Sequence, residues 1–174
     1  MKALQYIKEG DVCCEVGVWK GDMSKLILQK NPSELHLVDP WMSQPIEGRM
    51  YNVAQKRMDL IADEVAETFA DDDRVYIHRD FSQNVEFEED TFDWVYIDGN
   101  HNYEEVLQDL RDYWKYTKHG GIIVGDDFQF AGVEQALTEF EHEKDFVASI
   151  IDGNNRFVFQ VLKDNEEDED EDVT

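Results

Sequence analysis

Basic residues are scarce in this chain of 174 residues: 16 Lys and Arg stand against 41 Asp and Glu, for a formal net charge of −25. Attraction to nucleic-acid phosphates and to anionic membranes is driven by clustered Lys and Arg. The balance therefore argues against direct nucleic-acid binding and against charge-driven membrane attachment. Cysteine is nearly absent. Cys13 and Cys14 are adjacent, so no disulfide framework exists, and they read as small core residues on opposite faces of one strand. Three prolines and no internal repeat leave no linker to divide the body. No run approaches the roughly 18 apolar residues of a membrane span, and residues 1–10 lack the apolar stretch of a secretion signal. These absences point to a soluble, cytoplasmic protein.

What is present suffices for one core: 41% of the residues are hydrophobic and 12% aromatic, over a length that fits a single domain. Residues 164–174 carry eight acids, a self-repelling block expected to be a disordered tail. Taking those eight from −25 leaves residues 1–163 at −17, so the body is acidic in its own right.

Within the body, short apolar runs alternate with longer amphipathic stretches. Strands are expected at 12–16, 35–38, 75–78, 92–97 and 121–124, with helices at about 22–29, 51–69, 103–116 and 133–143. A hairpin is expected from 146–151 and 156–162 around Asp152-Gly153-Asn154-Asn155. The pattern predicts an α/β fold, Rossmann-like and doubly wound, whose mostly parallel sheet ends in an antiparallel hairpin strand.

In such sheets ligands bind beyond the carboxyl ends of the strands. The first strand runs into Glu15-Val-Gly17-Val-Trp-Lys-Gly21, where two glycines allow a tight turn beside a helix start. The spacing is neither the dinucleotide fingerprint nor a phosphate-cradling loop, so a nucleoside-like ligand is favoured over a pyrophosphate. Asp39 falls 22 residues after Gly17. It reads either as an acid for ribose hydroxyls or as a strand-stopping turn with Pro40. Glu15 is either an exposed strand-end charge or a partner for a ligand ammonium group.

These residues resemble the class I S-adenosylmethionine-dependent methyltransferases. The resemblance is carried by Glu15-Val-Gly17-Val-Trp-Lys-Gly21, Leu37-Val38-Asp39-Pro40-Trp41, Trp94-Val-Tyr-Ile-Asp98-Gly99-Asn-His101 and Gly120-Gly121-Ile-Ile-Val-Gly-Asp126-Asp127. The phrase IDGNHNYEEVLQDLRDYW with HGGIIVGDD looks like the small-molecule O-methyltransferase branch, which includes macrocin O-methyltransferase-like and cephalosporin-hydroxylase-like proteins. The resemblance implies methyl transfer from S-adenosyl-L-methionine (SAM) to a small acceptor. Gly17, Gly21 and Asp39 would hold the cofactor, Glu15 would support the turn, and Asp80 would stand where the family often places an adenine contact.

Asp98 closes the fourth strand, and Asp126 with Asp127 closes the fifth, so the three carboxylates are expected at one sheet edge. An all-oxygen cluster suits a hard cation such as Mg2+. The same positions resemble the metal-dependent catechol O-methyltransferase-like proteins, in which a lysine three residues after the first Asp is the base. Here that position is His101, which is a base, a metal ligand or a cap for the following helix. The segment 42–50 is the candidate lid over the acceptor. Two other readings stay open. One is a noncatalytic domain engaging a basic partner through its acidic surface and tail; the other is an enzyme using a different nucleoside cofactor. A homo-oligomer is compatible with each of them.

Overall fold

The segment Val-Cys-Cys-Glu-Val has no polar face to offer solvent over most of its length, which suits a strand covered on both sides. In the computed structural model, which describes residues 2–43, 53–153 and 155–163, it is β1 (Val12–Val16), a central strand. Cys13 faces one core and Cys14 the other, both fully buried and free.

The remaining strands are β2 (Glu34–Val38), β3 (Val75–His78), β4 (Phe92–Ile97), β5 (Thr117–Gly125), β6 (Ser149–Ile151) and β7 (Arg156–Gln160). The helices are α1 (Asp22–Leu28), α2 (Gln55–Phe69), α3 (Tyr103–Tyr116) and α4 (Ala131–Lys144), with 3-10 turns at Lys2–Tyr6 and Ser82–Asn84. Among the described residues the strands form one sheet in the order β3-β2-β1-β4-β5-β7-β6. β1 to β5 run parallel, and β7 lies antiparallel between β5 and β6. The hairpin is thus built into the sheet, with its second strand beside β5.

Each helix is placed by its apolar stripe. Val106, Leu107, Leu110, Tyr113 and Trp114 recur at helical spacing on α3 and pack with Val133, Ala136, Leu137 and Phe140 of α4 on one face. Ile27 of α1 and Met58, Ile61, Ala62, Val65 and Phe69 of α2 cover the other, joined by Ala3 and Leu4. β5 is longer than its apolar run predicts. Its first residue pairs with Phe92, and a register shift between Thr117 and Ile122 precedes the apolar run. No helix among the described residues is long and apolar enough to cross a membrane. The 164–174 tail, most of the 42–50 segment and Asn154 of the hairpin turn lie outside the described residues.

The chain winds outward from β1 to β3 and then crosses back to β4 and β5, so strand order reverses between β1 and β4. That reversal opens a crevice at the carboxyl ends of these two strands.

Candidate active site

Val16 pairs with Ile97, which sets Gly17 beside Asp98 as the two strands end. The Asp98 amide donates to the Val16 carbonyl at 2.7 Å, and the Gly17 amide to Val38 at 2.9 Å. Gly17 is left-handed (φ 87°), and a Cβ there would stand 2.0 Å from the Asp98 carbonyl oxygen. Only glycine meets both constraints. Gly21, also left-handed, begins α1; a Cβ on it would press on the Phe69 ring at 2.9 Å.

Between the glycines the chain wraps around Asp39. One carboxylate oxygen accepts the amides of Val18 and Trp19, each at 2.9 Å, and the other accepts the Trp41 amide at 2.6 Å. The indole of Trp41 is buried and donates to the Trp19 carbonyl at 2.8 Å, so it anchors the loop. Trp19 and Trp41 both take positive φ, a strain held by these bonds. A carboxylate offers about four acceptor positions, so Asp39 keeps roughly one for a ligand.

Glu15 is a buried acid, 1% exposed, that accepts the Ser24 hydroxyl at 2.5 Å. Burial pushes its pKa well up, the Ser24 hydrogen bond opposes this, and the charges of Asp98, Asp39 and Asp22 add to the rise. A cationic ligand would relieve that repulsion.

Glu15, Gly17, Val18, Trp19 and Asp39 border a cavity of about 700 Å³ that also takes in Met42, Ser43, Val53, Met58, Phe81, Ser82, Gln83 and Asp109; Gly21 is not among its lining residues. Asp80 is not among the lining residues. It is exposed and accepts from the Phe81 amide and the Asn84 side chain, holding the turn that brings Phe81 to Gln83 to the cavity. Two of its lining residues, Ser82 and Asp109, were not singled out in the sequence. The available signal for Asp109 was a charged residue on the inner face of α3, three residues after Val106 and four before Tyr113.

Asp98, which lines the cavity, meets His101 and Asp127 behind it, and the three place ligand atoms within 4.8 Å of one another. The Asn100 side chain accepts the amides of His101 and Asn102, the residue just before α3. The ring stacks on Phe130 at 4.4 Å, and its Nε2 approaches Asp127 to 2.6 Å. It is 7% exposed, and its Nδ1 has no partner among the described residues. A Cβ at Gly132 would lie 2.3 Å from the His101 carbonyl, so α4 approaches this loop as closely as a glycine allows. Asp98, His101, Asp126 and Asp127 line a void of about 10 Å³, roughly the room one water needs.

Asp126 borders the void but is not part of the three-residue group, because its oxygens are taken elsewhere. Its oxygens receive Arg156 at 2.6 Å, Asn155 at 2.6 Å, the Tyr96 hydroxyl at 2.5 Å and the Asp127 amide at 2.9 Å. Arg156, on β7, gave no signal in the sequence because its nearer partners, Tyr96 and Asp126, are distant along the chain. His36 and His78, scattered in sequence, meet across β2 and β3 with ring nitrogens 3.0 Å apart.

The family model of a methyltransferase domain matches residues 14–128, well over half of the chain. Among solved structures, the O-methyltransferase NovP superposes with a TM-score of 0.64 at 17% identity, over 93% of this chain and 77% of that one. A protein from Clostridium thermocellum described as a putative rRNA-methylase gives 0.66 at 16% identity, over 93% and 92%. An S-adenosylmethionine-dependent methyltransferase from Mesorhizobium loti gives 0.51 at 16% identity over 68% of this chain, which spans about half (46%) of that protein's length.

Proposed function

The chain belongs to the SAM-dependent methyltransferase family, and on that premise we propose that it methylates an oxygen of a small hydroxylated acceptor with the help of a divalent cation. The observation that carries this reading is the Asp98–His101–Asp127 cluster, which shares Asp98 with the cavity walled by the glycine loop and Asp39. In this reading Asp39 gives its remaining acceptor position to a ribose hydroxyl, and the Gly17–Gly21 loop receives the methionine end. The ammonium and sulfonium charges of the cofactor offset the repulsion among Glu15, Asp98 and Asp39.

The cluster fits a divalent cation on two counts: a void of one-water size, and two carboxylates, Asp98 and Asp127, whose oxygens lie within 4.8 Å of one another. The chemistry such an ion supplies when bound is a lowered pKa for an acceptor hydroxyl. Asp98 and Asp127 are its carboxylate ligands in this reading, and Asp126, fully occupied by Arg156, Asn155 and Tyr96, stays outside the set. His101, steadied by Phe130 and Asp127, takes the acceptor's proton in this reading. The protein's main work is then to hold acceptor oxygen and methyl carbon in line. Lys20 is the one basic residue among the described lining residues, which disfavours a nucleic-acid acceptor.

The test is calorimetric titration of S-adenosylhomocysteine, followed by labelled methyl transfer to a panel of hydroxylated acceptors with Mg2+, Mn2+ or EDTA. Micromolar binding and EDTA-sensitive transfer are expected. Absence of binding would overturn the enzyme reading, and transfer unaffected by EDTA would remove the cation from it.

A further inference from the structure

We propose that His36 and His78 share one hydrogen and form a latch on the end of β3 that opens when both rings are protonated, so that acid weakens cofactor binding. The inference rests on the cofactor reading above and goes beyond it by giving that site a means of regulation.

Glu34, His36 and His78 form a line along one face of β2 and β3. The Glu34 carboxylate can only accept, so Nε2 of His36, 3.2 Å from it, carries that ring's hydrogen. Nδ1 of a neutral His36 is then a lone pair, and Nε2 of His78, 3.0 Å away, must donate to it. The ring planes lie within 11° of each other and the centroids are 5.3 Å apart, so the rings meet edge to edge with the two nitrogens head-on. Phe87 stands edge-on to both rings and shields them. One added proton goes to Nδ1 of His78 and leaves a charge-assisted bond in place. A second has only Nδ1 of His36 to occupy, where two hydrogens would face each other across the 3.0 Å gap, and the pair must open.

The consequence reaches the cofactor site through the backbone. β3 is an edge strand, held among the described residues by β2 alone. Its last residue is His78, whose carbonyl accepts the Asp39 amide at 3.2 Å, and Phe81 of the cavity wall follows three residues later. Movement of His78 away from His36 therefore disturbs both Asp39 and that wall. Burial lowers the pKa of both rings from the ordinary 6.5; Glu34 opposes the fall at His36, and His36 adds to it at His78, which favours the closed latch at neutral pH. The other titratable groups around the pair are Tyr76, stacked on His36, Tyr113 and Tyr116 of α3 behind Phe87, and Glu86 and Glu88 on either side of Phe87. Asp93, beside Phe92 on β4, is engaged by Lys118. Arg79, the next residue along β3, turns to Asp59 of α2, which covers the other face of the sheet.

The experiment is calorimetric titration of the full chain with S-adenosylhomocysteine at about pH 8 and about pH 5, beside His36→Asn. The asparagine carbonyl accepts the His78 hydrogen as Nδ1 does but takes up no proton, so a protonated His78 meets no opposing hydrogen. Over this interval the unmodified protein is expected to lose at least about fivefold more affinity than the variant. Glu15 and Asp109, whose pKa values burial raises, titrate in both proteins, so the difference reads the pair. His78→Gln, whose amide can turn either its oxygen or its nitrogen to His36, should be as insensitive as His36→Asn and carries the test if that variant does not fold. Nitrogen spectra of the labelled imidazoles give a readout independent of the cofactor. At about pH 8 His36 should be the Nε2–H tautomer, with a nitrogen–nitrogen coupling to His78 that is lost as the affinity falls. An equal loss of affinity in the unmodified protein and both variants, or an Nδ1–H tautomer at His36, overturns only this inference; no binding at either pH overturns the cofactor reading as well.

Discussion

The α-carbon of Gly17 and the carbonyl of Asp98 are so close that a methyl group on the first would stand 2.0 Å from the oxygen of the second. The contact joins the glycine loop to the strand end that carries the first acid of the cluster. Gly17→Ala must displace one of them and also place a side chain at φ 87°. A stability loss of about 3 kcal/mol or more is expected, with S-adenosylhomocysteine affinity reduced by at least about a hundredfold. Thermal melts and calorimetry read the two effects, and unchanged affinity would show that the loop does not form the cofactor site.

Asp39 organises the same loop from the other side. Removing its carboxylate in Asp39→Ala strands the amides of Val18, Trp19 and Trp41, which should reduce stability by about 2–4 kcal/mol. Asp39→Asn keeps one acceptor oxygen and is expected to fall between. Affinity for S-adenosylhomocysteine should drop at least about tenfold in the alanine variant. Affinity equal to the unmodified protein's would mean that Asp39 serves the backbone alone.

The fold was largely legible because its signals are local. The boundaries of β1, β3, β4 and α3 follow directly from apolar runs and helical spacing. β5 was read short because the early part, Thr117 to His119, is polar and is recruited to the sheet by pairing with β4. The site was legible only in part. Glycines and strand-end acids announce themselves, but the direction an acid faces is decided by distant residues. Asp126 and Asp127 are neighbours in sequence, yet Arg156 and Asn155 at the start of β7 hold the first, while a positive φ of 56° at the second turns it to His101. Glu15, readable as an exposed charge, is buried because its strand lies at the centre of the sheet.

Asp126 and Arg156 form a largely buried ion pair joined by Tyr96. Arg156→Ala leaves the Asp126 charge without its partner, and a loss of about 3–5 kcal/mol is expected. Asp126→Asn combined with Arg156→Ala removes both charges and should recover part of that loss, and Asp126→Asn alone completes the cycle. Denaturant titration of the cycle gives the coupling. Additive losses would show that the pair contributes no interaction of its own.

Stability should fall as pH rises from about 4 to about 7. Burial raises the Asp109 pKa from 3.8 to about 7, so across that window the folded protein keeps a proton that the unfolded chain has released. The shift corresponds to as much as about 4 kcal/mol. Glu15, also raised by burial, acts in the same direction. Asp109→Asn removes one of these contributions, and its melting temperature should vary less between about pH 5 and pH 8. Parallel pH profiles for the two proteins would show that Asp109 is ionised throughout.

Gly132 tests whether the position of His101 matters apart from cofactor binding. A Cβ there would meet the His101 carbonyl at 2.3 Å and the Tyr103 amide at 3.0 Å, so Gly132→Ala must push the β4–α3 loop away from α4. The imidazole would move with its backbone and lose its stacking on Phe130 and its approach to Asp127. The cofactor walls formed by the glycine loop and Asp39 lie on other segments. The expected result is a kcat lowered by about a hundredfold, since a displacement near 1 Å has that effect on aligned reactants. S-adenosylhomocysteine affinity should change by less than about threefold. An equal fall in both would mean that the substitution disturbs the whole crevice, and an unchanged kcat would remove His101 from the proton-transfer step.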